Sequence, residues 1–232
     1  EPNYEMIEST SQRINNGQYD LVIALGGGSI LDIVKAASMY DNAIETVDNF
    51  AGSKKQYTKR LLKTLAIPTT AGTGSEFTNT SVYTTKTNIK TWLWDELSYF
   101  DYVIYYPSLS RELSESITIA CGVDALSHLL ESLMSLKFDT NNLDLCNLGI
   151  ESIWTSLPKL IQNKQSIEER TNMLLGSGVA GKAIYYTGCG ICHCIAHTLG
   201  SITKVPHGIA IAYGLLHTIE PTLQYNEDLL LR

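Results

Sequence analysis

Tyr19-Asp20-Leu21-Val22-Ile23-Ala24-Leu25-Gly26-Gly27-Gly28-Ser29 decides how the chain is read. Its first seven residues form a short apolar run with β-branched side chains, closed by glycines, which is the pattern of a buried strand. The residues that follow, 30–40, put Ile30, Ile33, Val34 and Ala37 on one helical face. Strand, glycine turn and helix together open an α/β unit. The alternation continues on either side. A polar helix is predicted over 4–16. Strands are predicted over 62–67, stopped by Pro68, over 77–85, rich in Thr, Val and Tyr, and over 101–106, ended by Pro107. Strands separated by helices imply a parallel or mixed sheet covered on both faces.

After Pro107 the texture changes. Residues 113–135, 143–160, 166–186, 190–199 and 208–223 carry apolar side chains at helical spacing, without strand-like alternation. The expected organisation is an α/β domain over 1–109 followed by an all-helical domain over 110–232, with no internal repeat.

At 232 residues, 44% hydrophobic and 18% charged, the chain can bury a sizeable core and is not disordered. A formal net charge of −7 argues against a nucleic-acid partner. No apolar run is long enough to cross a bilayer, so no membrane partner is expected. No secretion signal is read at the start, and Glu1 in place of Met reads as a trimmed chain. Five cysteines, three of them crowded as Cys189, Cys192 and Cys194, do not form a disulfide framework pattern, and a reducing cytoplasmic compartment is expected.

Two loops invite a ligand. Gly26-Gly-Gly-Ser29 lies between strand and helix, where glycines permit positive φ and close approach, and where free helix-start amides attract a phosphate. Asp32 and Lys35 follow on the helix. The spacing is not that of the usual dinucleotide fingerprint, and a plain tight turn fits this loop equally well. Pro68-Thr-Thr-Ala-Gly-Thr-Gly-Ser-Glu76 repeats the theme with hydroxyls and two glycines, or caps an element. Polar loops at neighbouring strand ends would flank one crevice of the kind that binds nucleotides.

The five histidines are His128, His193, His197, His207 and His217. Asp124 and His128 stand at i and i+4 on one helix, and His193 and His197 repeat that spacing on a later one. His207 opens a further helix after Pro206. One carboxylate and three imidazoles form a donor set for a borderline divalent cation. A lone histidine on an apolar helix is more often a hydrogen-bonded core residue, and His217, without a partner in sequence, is read as structural or at the rim. Cys189, Cys192 and Cys194 offer a rival thiolate cluster. They cannot all face one point on a helix, so they are expected to pack as small apolar residues.

Taken together, Gly26-Gly-Gly-Ser-Ile-Leu-Asp-Ile-Val-Lys35, Pro68–Glu76, Gly122-Val-Asp-Ala-Leu-Ser-His128, His193-Cys-Ile-Ala-His197 and Pro206-His-Gly208 resemble the iron-containing (group III) alcohol dehydrogenase family, in order and spacing. The resemblance implies the family's fold, shared with dehydroquinate synthase: an α/β dinucleotide-binding domain, then a helical one, here truncated at both ends. It implies Asp124, His128, His193 and His207 as metal ligands, iron(II) ahead of zinc(II), and His197 as a catalytic orienting or proton-relay residue. Gly27, Gly28, Ser29 and Asp32 would hold the pyrophosphate and nearby ribose of NAD or NADP. Thr69, Thr70 and Thr73 would line the adenine and ribose side, and Lys90 would contact the ribose. The implied activity is hydride transfer between nicotinamide and a small alcohol or aldehyde, in a homo-oligomer. A dehydroquinate-synthase-like cyclase and a nucleotide-binding paralogue without turnover are the competing readings. Tyr105-Tyr106, Phe100, Trp92 and Trp94 depart from the family's habits.

Overall fold

The protein is represented by a computed structural model that describes residues 2–41, 43–57 and 62–225. It divides into two compact units, Glu1–Thr69 with Ser75–Tyr106, and Thr70–Gly74 with Pro107–Arg232. The first is α/β and the second helical. The short segment 70–74 leaves the first unit to join the second, which a single cut near residue 109 does not anticipate.

Helix α1 (Tyr4–Asn16) starts where the Asn3 side chain accepts the Met6 N–H, and stops at Gly17. Strand β1 (Leu21–Gly26) runs into helix α2 (Gly28–Ala37), and β2 (Lys63–Pro68) ends at the proline. β1, β2 and β5 (Tyr102–Val103) form a parallel three-stranded sheet in that order, with Gly26 opposite Pro68. β3 (Thr80–Thr84) pairs with β4 (Lys90–Trp94) as a separate antiparallel hairpin. β4 is absent from the sequence reading. Its residues alternate about a single buried side chain, Leu93, between exposed Trp92 and Trp94, too short a period to stand out without its partner.

The expectation of a sheet covered on both faces is not met. Ala24 and Ala66 pack with Leu31, Val34 and Phe100 on one face. Leu21, Ile23, Leu25, Tyr102 and Ile104 remain exposed. Among the described elements α2 packs on β1 and β2, and α1 packs on α2.

Lys35 ties α2 to the hairpin. Its ammonium is buried, pairs with Asp32 at 3.1 Å, and donates to Ser75 O at 3.1 Å, to Thr78 Oγ1 at 3.0 Å and to the Thr80 carbonyl. Asp32 in turn accepts from Ser75 Oγ at 2.6 Å and from Val82 N at 3.0 Å. Burial pulls the Lys35 ammonium below its ordinary range, and Asp32 opposes that pull.

The helical unit is built from α3 (Glu115–Leu133), α4 (Leu143–Gln162), α5 (Ile167–Thr187), α6 (Ile191–Thr203) and α7 (His207–Tyr225). Ser114 and Ser166 cap α3 and α5 through their hydroxyls. None of the described helices is long and apolar enough to cross a membrane. Glycines set the closest approaches. Gly74 has φ +58°, and a Cβ on Gly181 of α5 would lie 2.1 Å from the Gly74 carbonyl oxygen.

Two outcomes are expected. Gly181→Ala forces α5 off the 70–74 segment and lowers unfolding free energy by about 1–3 kcal/mol, read by denaturant titration. Lys35→Met leaves Asp32 and three acceptors without their cation, and costs about 3–5 kcal/mol in the same measurement.

Candidate metal centre and nucleotide loops

α3 places Asp124 and His128 one turn apart on its buried face, with Glu131 one turn further. α6 starts at Gly190, which has no side chain to cap the helix. Glu131 reaches across and supplies the acceptor. Its Oε1 takes the Cys192 N–H at 2.7 Å and the His193 N–H at 3.3 Å, and its Oε2 lies 2.5 Å from His193 Nδ1. α7 starts at His207, where the Pro206 carbonyl accepts from Ile209 and Ala210. Gly208 lets that start lie on α3, since a Cβ there would stand 2.8 Å from the Ala120 Cα.

Three helices therefore bring Asp124, His193 and His207 to one point, with His128 alongside. From Asp124 Oδ1, His207 Nε2 is 3.5 Å away, His193 Nε2 3.6 Å and His128 Nε2 3.9 Å. The His128 and His193 rings stack at 4.4 Å, and His207 stands 5.8 Å from His193. Donor atoms of Asp124, His193 and His207 all fall within 4.8 Å of one another. These separations are long for hydrogen bonds. Donors about 2.1 Å from one shared cation stand about 3.4 Å apart in tetrahedral geometry, close to what is found. Asp124 Oδ1 and His193 Nε2 are buried without a hydrogen-bond partner among the described residues, as atoms waiting on a cation are. The donor set fits a divalent ion.

Electrostatics agree with a shared negative centre. Burial pushes the Asp124 carboxyl up, but His128, His193 and His207 outweigh it and hold the group well below the usual carboxylate range. Burial brings His128 down to about 4, against Asp124. Burial also pulls His193 down, yet Asp124 and Glu131 prevail and raise it to about 9.

Of the remaining histidines, His197 is half-buried with its ring 5.4 Å from that of His207. His217 is exposed, with Nδ1 2.8 Å from the Tyr213 carbonyl oxygen, a local contact within α7. The packing expectation holds for Cys192, which is buried with Ala196, Ala210 and Ile211. It fails for Cys189 and Cys194, both exposed: Cys189 lies in the loop before α6 rather than on it, and Cys194 is on its outer side. Cys189 Sγ comes within 4.8 Å of donor atoms of His128 and His193. Glu131 is the site residue that sequence reasoning missed. Its spacing from Asp124 and His128 was readable on the helix, but its contact with α6 was not.

The two glycine-bearing loops separate in character. Gly27 caps α2 with φ −80°, so the glycines at 26–28 do not use the positive φ expected of them. The need is for space, since a Cβ on Gly26 would meet Ile30 Cγ1 at 2.6 Å. No acidic residue occupies the first turn of α2, and Ser29 there is exposed. The second loop begins beside the first, with Thr69 N donating to Gly26 O at 2.9 Å. Thr70 and Thr73 belong to the helical unit. Lys90 opens β4, opposite Thr84.

Comparison with known proteins places this geometry. Residues 1–107 match the family model for iron-containing alcohol dehydrogenase, and residues 118–230 match that for the C-terminal part of the Fe-containing alcohol dehydrogenase family. The chain is 35% identical over 211 residues to long-chain-alcohol dehydrogenase 1 of Geobacillus thermodenitrificans, covering 90% of this chain and 53% of that protein. Among solved structures, a 1,3-propanediol oxidoreductase superposes with a TM-score of 0.90 at 28% identity, over 97% of this chain and 59% of that one. A sulfoacetaldehyde reductase from Bifidobacterium kashiwanohense in complex with NAD+ gives 0.86 at 27% identity, over 90% and 56%. The chain thus spans about half the length of the curated relatives it matches. Two family models laid end to end over nearly the whole chain, on a fold shared with these enzymes, make the chain a member of the iron-containing alcohol dehydrogenase family.

Proposed function

We propose that this chain carries the metal-binding and nucleotide-binding residues of an NAD(P)-linked alcohol dehydrogenase or aldehyde reductase. The convergence of three imidazoles on Asp124 Oδ1 at 3.5 to 3.9 Å is the observation that carries the reading. Asp124, His128, His193 and His207 hold the cation, iron(II) by the family's habit and zinc(II) as the alternative. When bound, the cation supplies Lewis acidity toward a substrate oxygen and the nicotinamide supplies the hydride acceptor or donor.

The chain's own groups do the rest. Asp124 stays ionised and gives the site its negative charge. His197, beside His207, holds or passes the substrate's hydroxyl proton at an imidazole nitrogen. Gly27, Gly28 and Ser29 offer the amide end of α2 to the pyrophosphate. Thr69, Thr70, Thr73 and Lys90 line the nucleoside side. Asp32 acts indirectly, since both its oxygens already hold Ser75, Lys35 and Val82 in place. NAD is favoured over NADP by likeness to the reductase crystallised with NAD+. Five cysteines free of disulfides support a reducing cytoplasm, and the family resemblance supports a homo-oligomer.

The test loads the full chain anaerobically with iron(II) or zinc(II) and follows reduced-nicotinamide absorbance over an aldehyde panel. Turnover is expected to vanish on chelation and return with metal. Asp124→Asn and His207→Ala are each expected to lower kcat/KM by more than about 100-fold, beyond the effect of losing an outer partner of a ligand. Full activity in the chelated protein, or in His207→Ala, contradicts the assignment.

A further inference from the structure

One carboxylate on α3 serves two ends. Glu131 is 5% exposed, and its Oε1 accepts two amides of the first turn of α6 while its Oε2 faces His193 Nδ1 at 2.5 Å. Gly190 makes the reach possible, because a Cβ there would lie 2.7 Å from Oε1. His128 Nδ1, by contrast, is buried with no acceptor among the described residues.

We propose that Glu131 is the positioning residue of the metal centre: it holds a proton of His193 on Nδ1, makes Nε2, which faces Asp124, the nitrogen that takes a cation in place of a proton, and sets the ring's height by capping α6. The proposal rests on the reading that Asp124, His128, His193 and His207 hold a cation. An ionised carboxylate only accepts hydrogen bonds, so the Nδ1 facing it must donate, and the lone pair of the neutral ring then sits on Nε2. Glutamine has the same shape. With its oxygen on the α6 amides, its NH2 faces Nδ1 and turns the ring to the other tautomer, with a proton on Nε2. Glu131→Gln therefore attacks the tautomer and spares the cap. Gly190→Ala leaves every donor in place and pushes the carboxylate aside.

The experiment is a Co(II) titration of the full chain, read by visible absorption and by competition with a chromophoric chelator, with circular dichroism as the folding control. Glu131→Gln and Gly190→Ala are each expected to weaken Co(II) binding by about 10- to 100-fold and to change the Co(II) spectrum, with helical signal retained. Glu131→Gln binding within twofold of the unaltered chain, with the same spectrum, overturns the role of Glu131 and leaves the metal site standing. No Co(II) binding by the unaltered chain overturns both. If Glu131→Gln does not fold, 15N NMR of the Zn(II)-loaded unaltered chain decides: a proton on His193 Nδ1 supports the proposal, and a bare or metal-bound Nδ1 refutes it.

Discussion

Asp124 Oδ1 is the point on which the helical unit turns. It is buried at the meeting of α3, α6 and α7, with three imidazole nitrogens around it and no hydrogen-bond partner among the described residues. Such a group is costly in a protein interior unless a charge answers it. The surrounding architecture is arranged to maintain that concentration of donors. Gly208 lets α7 begin against α3, Gly190 lets Glu131 reach α6, and Glu131 anchors both the helix start and the His193 ring. The site is thus made of helix starts pinned to one central helix, which places donors more precisely than a loop does.

The α/β unit solves a different problem with a similar device. A buried lysine on α2 gathers Asp32 and the polar atoms of the segment that follows the threonine loop. This fixes the end of that loop relative to α2. The two glycine loops start side by side because Gly26 and Pro68 are paired in neighbouring parallel strands. Ligand loops at adjacent strand ends are the usual consequence of a parallel sheet.

Much of this was legible in the sequence. The strand–glycine–helix stretch at 19–40 and the helical spacing after Pro107 follow from short-range periodicity, and the observed elements follow them closely. Asp124 and His128 share a face because a helix repeats about every four residues. What escaped was long-range. Glu131 matters through a contact with α6 some sixty residues away, which no local pattern encodes. β4 was hidden because its only buried side chain, Leu93, gains meaning from its pairing with β3. The apolar strand residues implied two covered faces, yet covering depends on which elements return to the sheet. A glycine run at 26–28 suggests positive φ, yet the steric need at Gly26 is room for Ile30.

The central claim is that one carboxylate and three imidazoles share one cation. X-ray absorption of the Zn(II)-loaded full chain measures that directly. The account predicts nitrogen and oxygen neighbours at about 2.0–2.2 Å, with the outer-ring scattering of three imidazoles. Fewer imidazoles, or a sulfur neighbour at about 2.3 Å from a thiolate such as that of Cys189, would contradict it.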